Sequence, residues 1–371
     1  MLITFAVIFA SGVVFPYSMR RLWGFMSDRH GPNRVGPHGL LQPFADFIKL
    51  LTKEDITPLK ANPWVFLLAP VIGFATPVLV QAVIPYSPTY TIANLNVGLL
   101  YIAAVSAFGV LGILLAGWSA NNKYTLVGGL RAGAQMISYE IPLLLTLILV
   151  TMLADSMSLN DVVTQQADVW YIAIQPMAFI IFLVAGVAEL NRTPFDLPEA
   201  ESELVGGYMT EYAGIRFALF AGLMEWGNVT VWGLTTATLF LGGWRGPFFS
   251  SAVWLLLKAF VMGLVIIWFF STFPRLQVDQ LMSFAWKILI PISILNLGVT
   301  GLFIVLWPDD FLLPTAIFSW VAVIVFIGVF TFVVKKILLS KRLGMRKSMD
   351  YEPWMYRKPA APIPTRRQVG P

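Results

Sequence analysis

The chain has 371 residues, of which 57% are hydrophobic and only 12% charged, with a formal net charge of +5 and no cysteine. That balance lies far from a soluble domain, and the missing cysteine excludes disulfides, thiolate clusters and CxxC redox pairs. His30 and His38 are the only histidines, so a histidine metal site is not expected either.

Runs of about 20 apolar residues match the thickness of a bilayer core, and the short alternating segments of a barrel are missing. The fold class expected is therefore all-α, a polytopic membrane helical bundle. Nine spans are read, at residues 2–19, 64–85, 98–118, 133–153, 169–190, 214–240, 251–272, 286–307 and 313–334. The first begins at Met1 without a basic n-region and runs directly into Arg20 and Arg21. That pattern reads as an uncleaved anchor with its N-terminus outside. The loops at 20–63, 119–132, 191–213 and 273–287 and the tail from Lys335 then face the cytoplasm and carry nearly all the Lys and Arg. The opposite side holds Arg245, with Lys258 at a span edge, so the positive-inside rule sets the orientation. The net positive charge is thus a topology signal. It does not indicate nucleic-acid binding, because the basic residues are dispersed and lack interleaved aromatic platforms.

The first large loop, Asp28 to Pro58, opens with Gly31, Pro32, Gly36, Pro37 and Gly39, which forbid regular helix and impose a turn-rich path. After it Leu40, Leu41, Phe44, Phe47, Ile48 and Leu51 recur at helical spacing, with Asp46, Lys49 and Lys53 on the other side. This predicts a short amphipathic helix flat on the membrane surface. Arg29 and Arg34 beside it are suited either to carboxylates or a polar head group, or simply to positive-inside anchoring.

Glu140, in SYEIPLLL, lies inside the fourth span, where an ionised carboxylate is costly and usually functional. Glu189 stands at the cytoplasmic end of the fifth span, near Arg192. The loop that follows holds Asp196, Glu199, Glu201, Glu203 and Glu211, with Arg192 and Arg216 as the nearby counter-charges. Carboxylates crowded at low dielectric repel one another, so some are expected to hold protons more tightly, as a proton path requires. The alternative reading is a solvated acidic loop docking a basic partner. The tail is basic from Lys335 to Lys347 and proline-rich from Pro353 to Pro371, an extended segment that either anchors the last span or docks a peripheral subunit.

Five segments, GPNRVGPHGLLQPFADFIKLLTKEDITP, LAGWSANNKYTLVGGLRAGAQMISYE, AELNRTPFDLPEAESELVGGYMTEY, LFLGGW and FPRLQVDQLM, occur in order along the chain. Together they resemble the H-subunit (subunit 1) family of complex I, the proton-pumping NADH-quinone oxidoreductase. The resemblance covers about residues 1 to 310. Residues 311–340 then form an additional C-terminal span and 341–371 a cytoplasmic tail.

The resemblance implies a multi-pass component of the prokaryotic plasma membrane that binds the hydrophilic arm and neighbouring membrane-arm subunits. With peripheral subunits it encloses a tunnel for ubiquinone or menaquinone. The quinone is a substrate; iron-sulfur clusters and flavin belong to partner subunits, and no prosthetic group, metal or complete active site belongs to this chain. Arg29, Asp46, Arg192, Asp196, Glu199, Glu201, Glu203 and Glu211 match family positions that line or support the quinone cavity, and Arg34 is grouped with them as a loop cation. Glu140 and Glu189, with Glu225 beside them, match the family's proton path towards the antiporter-like subunits.

Departures from the pattern are equally specific. Met19 stands where the family usually has Glu, Phe270 where it has Arg, and Gln277-Val278 where it has Arg-Tyr. Either a structural ion pair is gone or the quinone entrance is more apolar. Glu225 falls one residue later than the family's Glu, which turns its side chain by about 100° unless a π-bulge absorbs the extra residue. The electron donor is left open among NADH, ferredoxin and a reduced deazaflavin. The membrane component of energy-converting hydrogenases is the nearest alternative. A stand-alone transporter would account for the spans but not for two large loops gathered on one side.

Overall fold

The computed structural model describes residues 2–197, 205–308, 310–328 and 331. Among them the chain is helical with no strand, and each of the nine apolar runs overlaps helix in its described part. The helices are α1 (Leu2–Met26), α2 (Gln42–Thr52), α3 (Pro63–Gln81), α4 (Gly98–Ser119), α5 (Lys123–Ala154), α6 (Leu159–Gln165), α7 (Tyr171–Ile174) and α8 (Pro176–Glu189). Next comes α9, continuous through Gly214–Phe217, Ala218–Met224 and Glu225–Phe240, and then α10 (Ser251–Thr272), α11 (Val278–Leu306) and α12 (Leu312–Gly328). Of these α3, α4, α5, α10 and α11 are long and apolar enough to cross a membrane, and α8 and α12 are shorter apolar helices. The chain is a multi-pass membrane protein. Its compact unit runs from Met1 to Trp320, and a second unit begins at Val321. The tail predicted to be basic and proline-rich lies outside the described residues.

Four boundaries differ from the hydropathy reading. Helix α1 continues past Arg20 and Arg21 to Met26, and α5 begins ten residues before the predicted 133, at Lys123. Its start is set by Asn122, whose side chain accepts from the Tyr124 backbone N–H at 3.0 Å. The predicted fifth span is broken. Gln175 sits at φ −129° and ψ 60° because Pro176 follows it, and a residue before proline is driven out of the helical region. Gln175 Nε2 instead donates to Thr300 Oγ1 at 3.0 Å, tying the break to α11. Helix α11 itself starts at Val278, not 286. Gln277 and Gln280 form a reciprocal capping box there, at the place where the resembled family has Arg-Tyr.

The segment LFLGGW ends α9. Gly242 and Gly243 take φ values of +69° and +49°, left-handed conformations that a side chain resists. The carbonyls freed by the turn are gathered by one cation. Lys258 of α10 donates from Nζ to Leu241 O at 2.6 Å, Gly243 O at 2.9 Å and Arg245 O at 2.7 Å. Its ammonium also lies 4.6 Å from the Trp170 ring centroid. Lys258 is therefore buried and not a solvated lysine at a span edge. Replacing it by Met leaves those acceptors without a donor, a cost of about 2–4 kcal/mol. Lys258→Met should accordingly lower the thermal midpoint of the purified complex by several degrees, whereas Arg245→Gln should leave it nearly unchanged.

Candidate functional site

Helix α9 carries the site on two faces. One face meets α1 and α2 across a cavity of about 740 Å³. Its walls are apolar, with Phe9, Val13 and Pro16 from α1, Phe44, Phe47 and Leu50 from α2, and Phe217, Ala221, Gly222 and Trp226 from α9. Arg20 and Asp46 line the same cavity and form an ion pair. Gln42 Nε2 donates to the second oxygen of Asp46 at 3.0 Å, which fixes the carboxylate. Asp46 thus turns into the cavity, not out to solvent beside Lys49 and Lys53 as the helical pattern implied. The apolar residues Leu40, Leu41, Phe44, Ile48 and Leu51 are exposed, the surface that a helix lying on a membrane offers to lipid.

Above the cavity two ion pairs stand side by side. Arg192 Nη2 meets Glu225 at 2.7 Å, and both side chains are largely buried. The same guanidinium stacks 4.7 Å from the Trp226 ring centroid, so the cavity wall and the ion pair share an indole. Arg275 Nη2 meets Asp196 at 2.6 Å. Burial pushes the Asp196 carboxyl above its ordinary value; the hydrogen bond and charge of Arg275, and the charge of Arg192, draw it back, and Glu225 pushes it up. The loop that bears Asp196 is held by Gln135 of α5, whose Nε2 lies 2.8 Å from Ala188 O, 3.1 Å from Asn191 Oδ1 and 2.7 Å from Phe195 O. Tyr139 and Phe195 pack with ring centroids 5.3 Å apart.

The geometry explains the displaced Glu225. Residues Ala218–Met224, immediately before it, are π-helical. A wider turn of this kind can take up one extra residue, and Glu225 beyond it pairs with Arg192. Glu189 borders a small, mostly apolar cavity of about 80 Å³ between α3, α4, α5, α8 and α9. Glu140 lies within Coulombic reach of Glu189. It is seventeen residues into α5, about 25 Å from the start of that helix.

Residues 1–301 match the family described as NADH dehydrogenase. The NADH-quinone oxidoreductase H subunit of Dehalococcoides mccartyi strain CBDB1 is 46% identical over 328 residues, 88% of this chain and 92% of that protein. The H subunits of Geobacillus sp. strain WCH70 and Bacillus thuringiensis strain Al Hakam are 51% and 52% identical over 288 and 290 residues, 76% of this chain and 86% of each relative. The chain belongs to the NADH-quinone oxidoreductase H-subunit family. Members of this family are subunits of an oxidoreductase, so a chain of this kind works within an assembly.

Within that family frame the site residues read from the sequence separate into groups. Asp46, Arg192, Asp196 and Glu225 converge on the cavity and the paired charges above it. Glu211 is apart from them and accepts from Asn122 Nδ2 at 2.5 Å, beside the start of α5. Arg29 lies 5.6 Å from the Trp23 ring centroid, and Arg34 is exposed. The cation that organises the first loop is Arg21, which donates to His38 O at 3.1 Å. Glu199, Glu201 and Glu203 lie outside the described residues. Arg216 pairs with Asp55 of the first loop at 3.0 Å, which leaves it engaged away from the acidic loop. Two partners escaped the sequence reading, Arg20 and Arg275; the only signal for Arg275 was its place in FPRLQVDQLM. Phe270, where the family usually has Arg, packs edge-on against Trp23 at 5.2 Å, an aromatic contact between α1 and α10.

Asp196 gives a pH prediction. Its carboxyl is raised by burial, so the stability linked to it is greatest at low pH and falls as pH rises from the ordinary Asp value through the raised one. Arg275→Gln removes the partner that draws the carboxyl down. The acid limb of the activity profile should move up by about 1 pH unit, and thermal stability should drop more at pH 8 than at pH 5. Matched pH series on the variant and the wild-type complex would check both.

Proposed function

We propose that this chain is the membrane component of a proton-pumping NADH-quinone oxidoreductase that admits the quinone from the lipid and passes the charge change of its reduction into the membrane arm. The observation that carries this reading is the cavity between α1, α2 and α9. Its volume of about 740 Å³ and its apolar walls, with a single ion pair at Arg20 and Asp46, are what a lipid-soluble ring with two carbonyls requires. One side of it is formed by α2, whose exposed apolar residues suit a membrane surface, so the cavity is reachable from lipid. Membrane orientation with the N-terminus outside follows from the basic loops, and the hydrophilic-arm subunits then cover the loops around residues 28–58 and 191–213.

In this reading electrons arrive from a cluster in a partner protein of the assembly, consistent with the absence of cysteine here. Reduction of a quinone to a quinol takes up two electrons and two protons and changes the charge balance at the cavity. Trp226 separates the cavity from Arg192, so the Arg192–Glu225 pair feels that change through a thin, weakly screening layer. Asp196 and Arg275 respond next, and Gln135 ties the same loop rigidly to the end of α8, where Glu189 stands. Glu189 and Glu140 then move a proton along the membrane arm. No covalent chemistry by this chain is involved.

Two substitutions test the two halves separately. A side chain at Gly222 points into open space in the cavity, with nothing within 4 Å of a Cβ placed there. Gly222→Phe should therefore fill the cavity without disturbing the bundle and cut NADH-driven quinone reduction by at least about tenfold. Glu140→Gln should abolish proton pumping in membranes in which the complex is fully assembled. Unimpaired reduction in the first variant would sink the cavity assignment, and unimpaired pumping in the second would remove Glu140 from the path.

A further inference from the structure

The break at Gln175 separates a donor from an acceptor, and α12 supplies a new partner for each. In a continuous helix the Met177 backbone N–H would donate to the carbonyl of Ala173, four residues earlier. Because Gln175 leaves the helical region, the donor stands at the start of α8 and the acceptor near the end of α7. Within a bilayer neither group can turn to water, so an unpaired one is costly. Both partners come from adjacent residues of α12. Ser319 Oγ, fully buried, accepts from the Met177 N–H at 3.0 Å, and Trp320 Nε1–H donates to Ala173 O at 3.0 Å. A hydroxyl oxygen and an indole N–H thus replace, from another helix, the two halves of one lost backbone bond. The segment is seated for this task. Phe318 packs edge-on against Phe303 of α11 with centroids 6.1 Å apart, and Thr315, one turn before Ser319, is fully buried as well. The family match ends at residue 301, so these partners come from beyond the matched region.

We propose that Ser319 and Trp320 form an intramembrane clasp that holds the span in its broken form, and that both are positioning residues for α8 and hence for Glu189 at its far end. The start of α8 needs such help. Gln175 makes no side-chain cap there and Pro176 has no N–H to offer, so the Met177 N–H is the first donor of the helix. Ser319 does for it what an N-cap side chain does elsewhere, but from a different helix. The other end is held in a similar way, by Gln135 of α5 donating to Ala188 O at 2.8 Å, one residue before Glu189. The 14 residues between are one uninterrupted helix about 20 Å long, so a shift at Met177 is carried to Glu189. Without the clasp the Met177 N–H and Ala173 O can regain pairing only with each other, which straightens the span and moves α8.

The clasp stands on its geometry, and its bearing on Glu189 rests on the function proposed above. The test uses the assembled complex in lipid nanodiscs, as wild type and with Ser319→Ala, Trp320→Phe or Ile317→Ala. Amide hydrogen exchange over residues 171–180 should speed up about tenfold in Ser319→Ala and in Trp320→Phe, the effect of losing one buried hydrogen bond. Ile317→Ala shortens an exposed side chain of the same helix and should leave exchange at the wild-type rate. After reconstitution into vesicles, protons pumped per quinone reduced should fall about twofold in the first two variants and not in the third. That ratio does not move when a variant merely lowers the amount of intact complex. Trp320→Phe carries the readout if Ser319→Ala fails to assemble. Unchanged exchange in both clasp variants, or an equal rise in Ile317→Ala, overturns the clasp. Faster exchange with an unchanged pumping ratio overturns the positioning role. Failure of Glu140→Gln to affect pumping would instead count against the proton path and leave the clasp intact.

Discussion

Arg192 is shared between a carboxylate and an indole, and the rest of the site depends on that sharing. Its guanidinium is 2.7 Å from Glu225 and stacked 4.7 Å from the ring centroid of Trp226, the next residue on the same helix. The arrangement sets three things at once. The charge of Glu225 is compensated where water is scarce, Trp226 is fixed as the cavity wall, and the loop after α8 is tied to α9. A largely buried ion pair of this kind adds little net stability, since desolvation offsets most of the attraction, yet removing one partner alone would strand a charge and cost about 3–5 kcal/mol. Its value is therefore geometric: it allows one register of α8 against α9 and penalises the others.

That register explains why α9 tolerates an irregular turn. A π-helical stretch gives up the tightest backbone packing and persists where something else holds it. Here Ala218–Met224 has the outer cavity on one side and is followed at once by the Arg192–Glu225 pair. Below the irregular turn the helix resumes regular spacing, and its stripe of Asn228, Trp232 and Thr235 faces the inner chamber. One helix thus serves as wall to two cavities, with a compensated charge between them.

The membrane bundle was legible in the sequence because lipid imposes a length and an apolar composition that survive any detail of packing. Glu140 and Glu189 stood out for the same reason. What escaped depends on contacts between residues far apart in the chain. Arg275 is 79 residues from Asp196, and hydropathy cannot pair them. Asp46 read as part of a polar face because helical periodicity reports which side a residue takes, not that a neighbouring helix with Arg20 lies against that side. The break at Gln175 is the converse case: Pro176 announced it locally, but an unbroken apolar run masks a one-residue interruption. The extra residue before Glu225 was visible, whereas the length of the π-helical turn and the partner at Arg192 were not.

The carboxylates of the site fall into two classes, and the division bears on which of them can carry a proton. Asp46, Asp55, Asp196 and Glu225 each have an arginine partner. Glu140 and Glu189 form no such ion pair among the described residues, and each lies in the field of the other. Placing a proton on a paired carboxylate strands the charge of its arginine, while moving one between two unpaired neighbours leaves the total charge of the pair unchanged. In a low-dielectric interior the second process is the cheaper by a wide margin, because a net charge there is costly and poorly screened. The paired residues are therefore suited to sense and transmit the charge state of the cavity, and the unpaired ones to hold the mobile proton.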